Sequence, residues 1–346
     1  MMQMFIKIRL SDIEGAKRAL PNYYNILEGR KNAIYLKSKG MSLDCDLSKS
    51  EHELWDIHEK AMLSLRKSEA TKNPKTSLLD LKLKLARHML SKCELCERKC
   101  GANRLMGKEG HCHVVESKVS SEFVHWGEEP ELVPSHTIFF SGCTFNCAFC
   151  QNWDISQNPK SGDAFSPTRV AEIIKRRSDS TRNTNWVGGD PTSNLPFILD
   201  TLTYCNVNTP QVWNSNMYLT EKSMKLLDGL IDVYLTDFKY GNSECAKRLS
   251  NVDNYWDIVC RNHKIARSQC GVIIRHLVLP GHFKCCTKPI LEWIAKNLEN
   301  VRVNVMDQFR PAYNAYEYEE LTERLTREEF KHSYEFALGL GLSLTD

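Results

Sequence analysis

One stretch decides the fold of this chain: Ile138-Phe139-Phe140-Ser141-Gly142-Cys143-Thr144-Phe145-Asn146-Cys147-Ala148-Phe149-Cys150. Its apolar first half is typical of a buried β-strand. Its second half carries three cysteines at C-x-x-x-C-x-x-C spacing, on a loop that leaves the carboxyl end of that strand. Three thiolates on one short loop can bind three corners of a cubane iron–sulfur cluster, which normally takes four cysteines. No fourth cysteine lies nearby in the sequence, so one iron of such a cluster would stay open for a small molecule.

The cysteine loop resembles that of the radical S-adenosylmethionine (radical SAM) superfamily, both in its spacing and in the aromatic Phe149 just before the last cysteine. The resemblance implies that a 4Fe–4S cluster at Cys143, Cys147 and Cys150 binds the amino and carboxylate groups of SAM. It further implies that reductive cleavage of SAM gives a 5′-deoxyadenosyl radical, which abstracts hydrogen from a substrate, and that Phe149 packs on the adenine. A zinc knuckle is the alternative, although zinc sites usually close all four positions.

Length, charge and cysteine content limit the classes of protein to which this chain can belong. A chain of 346 residues can bury the core of one large or two medium domains. Its net charge of +3 is small, so we expect no nucleic-acid partner. It has no run of about eighteen apolar residues and no signal-peptide pattern, so we expect neither a membrane span nor export. Fourteen cysteines in such a chain predict a cytoplasmic protein that uses thiols for metal binding instead of disulfides.

A second cysteine-rich segment lies upstream of the first loop. Its four cysteines predict a metal site, for either tetrahedral zinc or a complete iron–sulfur cluster, and their spacing does not choose between the two. They are Cys93, Cys96, Cys100 and Cys112. This segment and the phrases at 235–240, 275–281 and 304–311 resemble the pyruvate formate-lyase activating enzyme-like subgroup of radical SAM proteins.

Strand-like and helical segments alternate from His136 onward, which predicts a parallel α/β sheet. Six such units fall short of a closed eight-unit barrel, and the family resemblance implies a partial (β/α)6 barrel. The predicted strands are Thr137–Ser141, Thr184–Val187, Gln211–Trp213, Val233–Thr236, Val272–Leu279 and Val301–Val305. The predicted helices are Pro167–Arg177, Leu195–Tyr204, Glu221–Gly229, Ser243–Arg248, Asn254–Ala266 and Thr287–Leu298, with a last one at about Glu319–Leu338.

We therefore expect three regions along the chain. Residues 1–90 form a helical N-terminal region, with a helix start at Ser11–Asp12 and helical spacing over 47–70 and 76–90. Residues 91–134 form the cysteine-rich metal-binding segment and an extended linker, in which Trp126 to Pro130 serve as turn material. Residues 135–346 form the partial barrel with its C-terminal helix.

Polar residues follow the predicted strands, and parallel barrels place their chemistry at the carboxyl ends of strands. By resemblance, Gly188 and Gly189 belong to the Gly-Gly-Glu element that receives the amino group of SAM, with Asp190 in place of the glutamate. Asn214 and Ser215 lie where activating enzymes carry a polar pair near SAM. A glycine usually follows that pair, whereas this chain has Asn216-Met217.

The later strands carry the charged candidates. Asp237 and Lys239 match an Asp-x-Lys pair whose lysine reaches SAM or substrate, and alternation places both on one face; the alternative is a local ion pair at the barrel rim. Arg275 is expected to face inward toward the SAM carboxylate, with His276 facing outward, and the opposite orientation stays open. By resemblance, Gln308 and Arg310 close the site.

The remaining cysteines have no ligand-like spacing with one another and are predicted to be buried small apolar residues. The adjacent pair Cys285-Cys286 is expected not to bind one metal together, although one of the two could serve as a catalytic thiol. These cysteines are Cys45, Cys205, Cys245, Cys260, Cys270, Cys285 and Cys286.

Two classes of function follow. The first is a radical SAM oxidoreductase, reduced by a donor such as ferredoxin or flavodoxin, in which the cofactor carries the chemistry and no side chain need act as acid or base. The resemblance suggests a protein substrate such as a glycyl radical enzyme, with other proteins and small molecules left open. The second is a non-catalytic iron–sulfur or zinc protein that transfers electrons or docks partners. SAM binding would separate the two.

Overall fold

The structure of the chain is a computed structural model that describes residues 10–65 and 74–345, with side chains described from residue 13 onward. The predicted helix start at Ser11–Asp12, the end of the predicted helix over 47–70 and most of the break at 71–74 therefore lie outside the described side chains. The described helices are α1 Leu10–Ala19, α2 Pro21–Leu27, α3 Ile34–Gly40, α4 Glu51–Leu65, α5 Leu78–His88, α6 Trp153–Ser156, α7 Pro167–Arg177, α8 Leu195–Tyr204, α9 Glu221–Leu227, α10 Ser243–Ser250, α11 Tyr255–Gln269, α12 Lys288–Asn297 and α13 Arg327–Gly339.

Seven strands form one sheet in sequence order, and six of them are parallel. The strands are β1 Val119–His125, β2 Ser135–Phe140, β3 Asn183–Gly188, β4 Gln211–Ser215, β5 Val233–Asp237, β6 Gly271–Leu277 and β7 Arg302–Met306. Strands β2 to β7 alternate with helices, which confirms the predicted partial (β/α)6 barrel. Because β2 to β7 run parallel, all six of their carboxyl ends lie at one edge of the sheet.

The additional strand β1 corrects the prediction of an extended linker over 114–134. It pairs antiparallel with β2, and the Phe123 ring stacks on Phe139 with centroids 5.6 Å apart. Sequence alone missed it because this strand is at the edge of the sheet, where alternate residues stay partly exposed and the apolar signal is weak.

Helix α2 closes the amino-terminal end of the barrel. Leu20 and Tyr23 are buried in a separate apolar cluster with side chains from β4, β5 and β6. The hydroxyl of Tyr23 donates to the carbonyl of Glu131 at 3.2 Å and accepts from the Asn183 amide at 3.1 Å. A Cβ on Gly271 would lie 2.6 Å from the Leu20 side chain. The N-terminal helices therefore contribute to the barrel core.

Helices α3, α4 and α5 pack outside the barrel, next to α8 and α9. Helix α5 begins at a capping box between Ser77 and Asp80, which satisfies two backbone N–H groups at the helix start. Lys82 on this helix is fully buried and lies 2.8 Å from the His58 ring and 3.1 Å from the carbonyl of Lys225. Burial lowers the pKa of Lys82 to about 7.

The C-terminal helix is shorter than predicted. Two short 3-10 turns occupy Ala315–Glu317 and Glu319–Leu321, and α13 begins only at Arg327. Thr326 and Glu329 form a capping box at that point, so the helix start is set by hydrogen bonding at Thr326 and not by the apolar pattern upstream. Within the described ranges, no helix has the length and apolar character needed to cross a membrane.

Candidate active site

The cysteine loop leaves β2 and is held by backbone hydrogen bonds to its neighbours. Gly142 has φ +90, and a Cβ there would lie 2.3 Å from the Val114 side chain. The N–H groups of Asn146 and Ala148 donate to carbonyls at the end of α10, at 3.2 and 2.8 Å. The loop conformation therefore depends on the glycine and on α10.

Donors surround the three thiols of this loop. The N–H of Phe145 donates to Cys143 Sγ at 3.3 Å, the hydroxyl of Ser156 lies 3.2 Å from Cys150 Sγ, and Ser250 hydrogen-bonds Cys147. Hydrogen bonds to ligand sulfur are among the features that set the reduction potential of an iron–sulfur cluster. The thiols and their donors thus fit a bound cluster.

A cavity of about 240 Å³ opens beside these thiols at the carboxyl edge of the sheet. The structure places every predicted SAM-site residue in its lining, together with Cys143, Cys147 and Cys150. These residues are Phe149, Gly188, Gly189, Asp190, Asn214, Ser215, Asp237, Lys239, Arg275 and Gln308. Their contacts with SAM itself stay a prediction. Arg310, which was expected to close the site, is exposed and lies outside the lining.

The two glycines after β3 allow close backbone contact. Gly188 has φ +127, and a Cβ there would lie 2.3 Å from the backbone N of Phe140. A Cβ on Gly189 would lie 2.2 Å from the carbonyl oxygen of Gly142. The Gly-Gly pair thus lets the end of β3 lie directly against the start of the cysteine loop.

Asp190 uses its carboxylate on protein donors. One oxygen accepts from the N–H of Thr192 at 2.9 Å, and the other accepts from the Ser215 hydroxyl and the Asn216 N–H, each at 3.0 Å. Burial raises the pKa of Asp190, and these hydrogen bonds oppose the shift. The side chain therefore joins the ends of β3 and β4, in addition to lining the cavity.

The turn after β4 explains the departure from the family pattern. Met217 has φ +61, a conformation that glycine adopts readily, so it occupies the position where a glycine usually follows the polar pair. The polar pair is then Ser215 with Asn216. The Asn216 amide donates to Thr144 Oγ1 at 2.9 Å and lies 3.9 Å from Cys143 Sγ. Asn216 thus lines the cavity together with the predicted Asn214 and Ser215, and the sequence prediction did not include it.

Asp237 links two basic side chains inside the cavity. It accepts from Arg275 Nε at 2.9 Å and is also bonded to Lys239 Nζ. Burial alone would raise the pKa of Asp237, but Arg275 and Lys239 outweigh it and hold the pKa at about 2. The same pairing outweighs burial for Lys239 and raises its pKa. Asp237, Lys239 and Arg275 are therefore all charged.

Arg275 lines the cavity and already has anionic partners within the chain, and its contact with the SAM carboxylate stays a prediction. Besides Asp237, its guanidinium lies 3.4 Å from the carboxylate of Glu128 and donates to Asn214 Oδ1. His276 faces the other side of β6, as predicted, and both its ring nitrogens have partners, at Phe238 O and Thr287 Oγ1.

Three glutamate side chains after β1 are buried, and two of them, Glu128 and Glu129, were predicted to be turn material. Glu128 contacts Asn185 and Arg275, Glu129 accepts from Asn304 at 3.0 Å, and Glu131 accepts from Arg302 at 2.7 Å. Burial raises the pKa of Glu128 to about 7. The sequence did contain a signal for these partners. The strands carry polar residues among apolar ones, namely Asn185, Arg275, Arg302 and Asn304, and a buried polar side chain requires a hydrogen-bonding partner.

Phe149 is buried between two aromatic rings. Its ring centroid lies 6.4 Å from that of Tyr240 and 6.0 Å from that of Phe309, both edge-to-face. The side chain is thus fixed in the wall of the cavity, and its packing on the adenine stays a prediction.

The four upstream cysteines line one pocket next to the cysteine loop. Thr144 and Ser193, which flank the first site, line the same pocket. A Cβ on Gly110 would lie 2.5 Å from Cys100 Sγ. Arg98 Nη2 and Arg104 Nε are buried there without a hydrogen-bond partner among the described residues. Two unmatched cationic donors beside four thiols fit a negatively charged metal centre.

The remaining cysteines include one correction. Cys245, Cys285 and Cys286 meet His282, with all ligand atoms within 4.8 Å of one another. We expected that the adjacent Cys285 and Cys286 do not bind one metal together, but their sulfur atoms lie close enough to do so. The chain turns through a π-helix at Phe283–Thr287, which brings neighbouring thiols to one side, and sequence spacing could not show this turn. Cys205, Cys260 and Cys286 are buried, as predicted, whereas Cys45, Cys245, Cys270 and Cys285 are only partly buried.

Comparisons with known proteins agree with this site. A profile of the radical SAM superfamily matches residues 137–294. The chain is 50% identical over 303 residues to an uncharacterized protein of Methanocaldococcus jannaschii, covering 85% of this chain and 89% of that protein. The chain belongs to the radical SAM superfamily. The three-cysteine loop and the cavity beside it are thus those of a radical SAM protein, for which a 4Fe–4S cluster and SAM are the implied cofactors.

Solved structures give only distant likenesses to this radical SAM protein. SuiB of Streptococcus suis, bound to precursor peptide SuiA, aligns with a TM-score of 0.44 and 13% identity over 58% of this chain, and this chain spans 46% of SuiB. A domain of pyruvate-formate lyase-activating enzyme from Bacteroides vulgatus aligns with a TM-score of 0.39 and 15% identity over 47% of this chain and 97% of that domain. Neither likeness indicates a substrate.

Proposed function

We propose that this chain is a radical SAM enzyme that abstracts a hydrogen atom from another protein. The observation that carries the proposal is the cavity in which three cysteines of one loop face the Gly-Gly turn, the Ser215–Asn216 pair and the charged group around Asp237. A 4Fe–4S cluster on the three thiolates would supply one electron for the reductive cleavage of SAM to a 5′-deoxyadenosyl radical.

The chain's own residues bind and orient the cofactors. The backbone at Gly188 and Gly189 offers close approach to a ligand. Asn216 contacts both the cysteine loop and the β4 turn, so it fixes the distance between cluster and cavity floor. Lys239 and Arg275 provide positive charge for a carboxylate, while Asp237 keeps both in position.

The upstream cysteines fit an iron–sulfur cluster better than a zinc ion. Arg98 and Arg104 each present a buried, unmatched donor to this pocket. Inorganic sulfides of a cluster would supply acceptors for these donors, whereas a zinc ion with four thiolates adds none beyond the cysteines. We propose that this cluster passes electrons from a ferredoxin or flavodoxin toward the first one, because Arg98 also donates to the carbonyl of Thr144 in the cysteine loop.

An exposed aromatic side chain that directly follows cavity-lining residues in the sequence supports a macromolecular substrate. Gln151 and Asn152 line the cavity, and the next residue, Trp153, is 48% exposed and stacks on Tyr313 with centroids 5.7 Å apart. Exposed aromatic surface of this kind is enriched where proteins bind peptides. A glycyl radical enzyme is the expected class of partner, from the resemblance to activating enzymes.

The test is SAM cleavage by protein purified without oxygen. Reduced, reconstituted protein is expected to form 5′-deoxyadenosine from SAM, and the Cys143→Ala variant is expected to form none. Cys205→Ala is the matched control, because this cysteine is buried outside the cavity lining. Turnover equal in the wild type and the Cys143→Ala variant would contradict the proposal.

The same sample separates the enzyme from an electron-transfer protein. An electron carrier would hold its cluster without binding SAM, so its cluster spectrum would not change when SAM is added. We expect the spectrum to change, because the three thiols that would hold the cluster line the same cavity that would bind SAM. A reducible cluster that neither binds nor cleaves SAM would favour the electron-transfer function.

A further inference from the structure

Three thiols and one imidazole meet beyond the carboxyl ends of β5 and β6, outside the cavity described above. The imidazole nitrogen is Nδ1 of His282, and it lies 3.3, 3.6 and 3.8 Å from the Sγ atoms of Cys285, Cys286 and Cys245, respectively. All four ligand atoms fall within 4.8 Å of one another. Among the residues that the structure describes, this group has the compactness that a single ion requires.

The spacing matches the edges of a zinc tetrahedron. Zinc binds cysteine sulfur at about 2.3 Å and histidine nitrogen at about 2.0–2.1 Å, which places nitrogen and sulfur about 3.6 Å apart across a tetrahedral edge. The three nitrogen–sulfur distances in this group lie on both sides of that value. Tetrahedral sites with sulfur and nitrogen ligands are typical of zinc or of iron–sulfur centres, and four ligand atoms within 4.8 Å of one another suit a single zinc ion.

The polar groups around these four side chains hold them in orientations that suit metal binding. The other ring nitrogen of His282 lies 3.5 Å from the carboxylate of Glu320, which is itself paired with Arg248. A carboxylate on the distal nitrogen fixes the tautomer that leaves Nδ1 free to bind metal. The amide of Asn242 donates to Cys245 Sγ at 3.4 Å and to the carbonyl of Cys285 at 2.8 Å.

The backbone around the group is shaped for this arrangement. The π-helical turn Phe283–Thr287 directs two adjacent cysteines to one side. A Cβ on Gly241 would lie 2.5 Å from the carbonyl oxygen of Cys285 and 2.7 Å from the Cα of Cys286. Glycine at this position therefore lets the loop after β5 approach the π-helical turn closely enough to bring Cys245 to the others.

We propose that Cys245, His282, Cys285 and Cys286 bind one Zn²⁺ ion in a closed tetrahedral site. Four protein ligands leave no open position, so the ion is structural and not catalytic. It joins α10 to the segment after β6. Helix α10 ends at Ser250, which hydrogen-bonds Cys147, so the ion fixes the helix that holds the cysteine loop. The proposal does not depend on SAM cleavage.

The test counts zinc and iron on protein purified without oxygen. We expect Cys286→Ser and His282→Ala to lose about one zinc per chain relative to the wild type, with iron unchanged. Cys260→Ser is the matched control: this cysteine is also buried but lies outside the group, and the zinc content of this variant is expected to stay at the wild-type value. Zinc content equal to wild type in both ligand variants would overturn the proposal, as would a loss of iron in place of zinc.

Two further measurements distinguish the loss of the zinc site from misfolding of a variant. His282→Cys supplies a fourth thiolate and is expected to retain zinc, whereas His282→Ala does not; retention by neither variant would count against the site. Zinc X-ray absorption on the wild type is expected to show sulfur neighbours at about 2.3 Å with a nitrogen at about 2.0–2.1 Å. A shell of sulfur alone, or a Cys285–Cys286 or Cys245–Cys285 disulfide, would contradict the assignment.

Discussion

At the scale of single residues, Asp190 shows how a departure from a family motif can change the hydrogen bonds that a side chain makes. Its carboxylate accepts from Thr192, Ser215 and Asn216. A shorter acid than the family's glutamate therefore reaches the neighbouring strand end and bonds to it. The sequence located this residue at the site, but the three donors come from two loops whose distance only the fold determines.

We predict that Asp190→Asn weakens SAM binding about tenfold or more. The new amide nitrogen would face the Asn216 N–H, which is itself a donor, so one buried donor would lose its acceptor at a cost of about 1–3 kcal/mol in unfolding free energy. Isothermal titration with SAM and urea unfolding would measure the two effects. Asp200→Asn is the control, since it alters only a half-exposed ion pair with Arg87, and it should leave SAM affinity unchanged.

Ser250 is a second residue whose role emerges only from the fold. It lies at the end of α10 and hydrogen-bonds both Cys147 and the hydroxyl of Tyr240. A donor to a ligand sulfur stabilises the reduced, more negative cluster. We predict that Ser250→Ala lowers the reduction potential of the cluster, as measured by anaerobic redox titration. Ser38→Ala, which removes a buried hydroxyl bonded to the Gly229 carbonyl, should leave the potential unchanged, and an equal shift in both variants would refute this role.

At the scale of secondary-structure elements, most of the barrel could be predicted. Helices α7 and α8 have the bounds that their periodicity predicted, because each begins where a proline occupies the first turn. The errors fall where short-range patterns are weak. Strand β1 is a half-exposed edge strand, and the π-helical turn at Phe283–Thr287 has no sequence signature that we could use.

Helix α2 is the element whose role sequence analysis could not identify, since its partners lie on strands far along the chain. We predict that Tyr23→Ala lowers the unfolding free energy by about 3–5 kcal/mol, the range for large aromatic side chains in a core. Tyr23 is fully buried and bonded to Asn183 and Glu131. Its neighbour Tyr24 is only partly buried, so Tyr24→Ala should cost clearly less. Similar losses in both variants, measured by urea unfolding, would show that α2 does not close the barrel.

At the scale of the whole molecule, buried histidines make the free energy of unfolding depend on pH. Burial lowers the pKa of His263 to about 4, and the same cause lowers that of His276 to about 4. The unfolded chain binds these protons near pH 6.5. Between pH 6.5 and 4 the unfolded state therefore binds more protons than the folded state, and the free energy of unfolding falls as the pH falls.

We predict that the His263→Gln variant loses less stability on acidification than the wild type. Glutamine can contact Thr236 and Val259, the partners of His263, but it cannot titrate. Between pH 7.5 and 5.5 the wild type should lose about 1 kcal/mol more than the variant, as measured by urea unfolding without oxygen. Replacement of the exposed His332 by glutamine is the control and should keep the wild-type slope; an unchanged slope in His263→Gln would contradict the prediction.

The closure of the barrel by α2 has a consequence for synthesis on the ribosome. Leu20 and Tyr23 are made early, but their apolar partners include Val233, Leu235 and Ile273, so the pocket for α2 is complete only about 250 residues later. At about 5–20 residues per second, this delay lasts on the order of 10–50 s. During that time the apolar face of α2 has no final partner and is open to chaperones and to other nascent chains. Slower translation lengthens this interval in proportion.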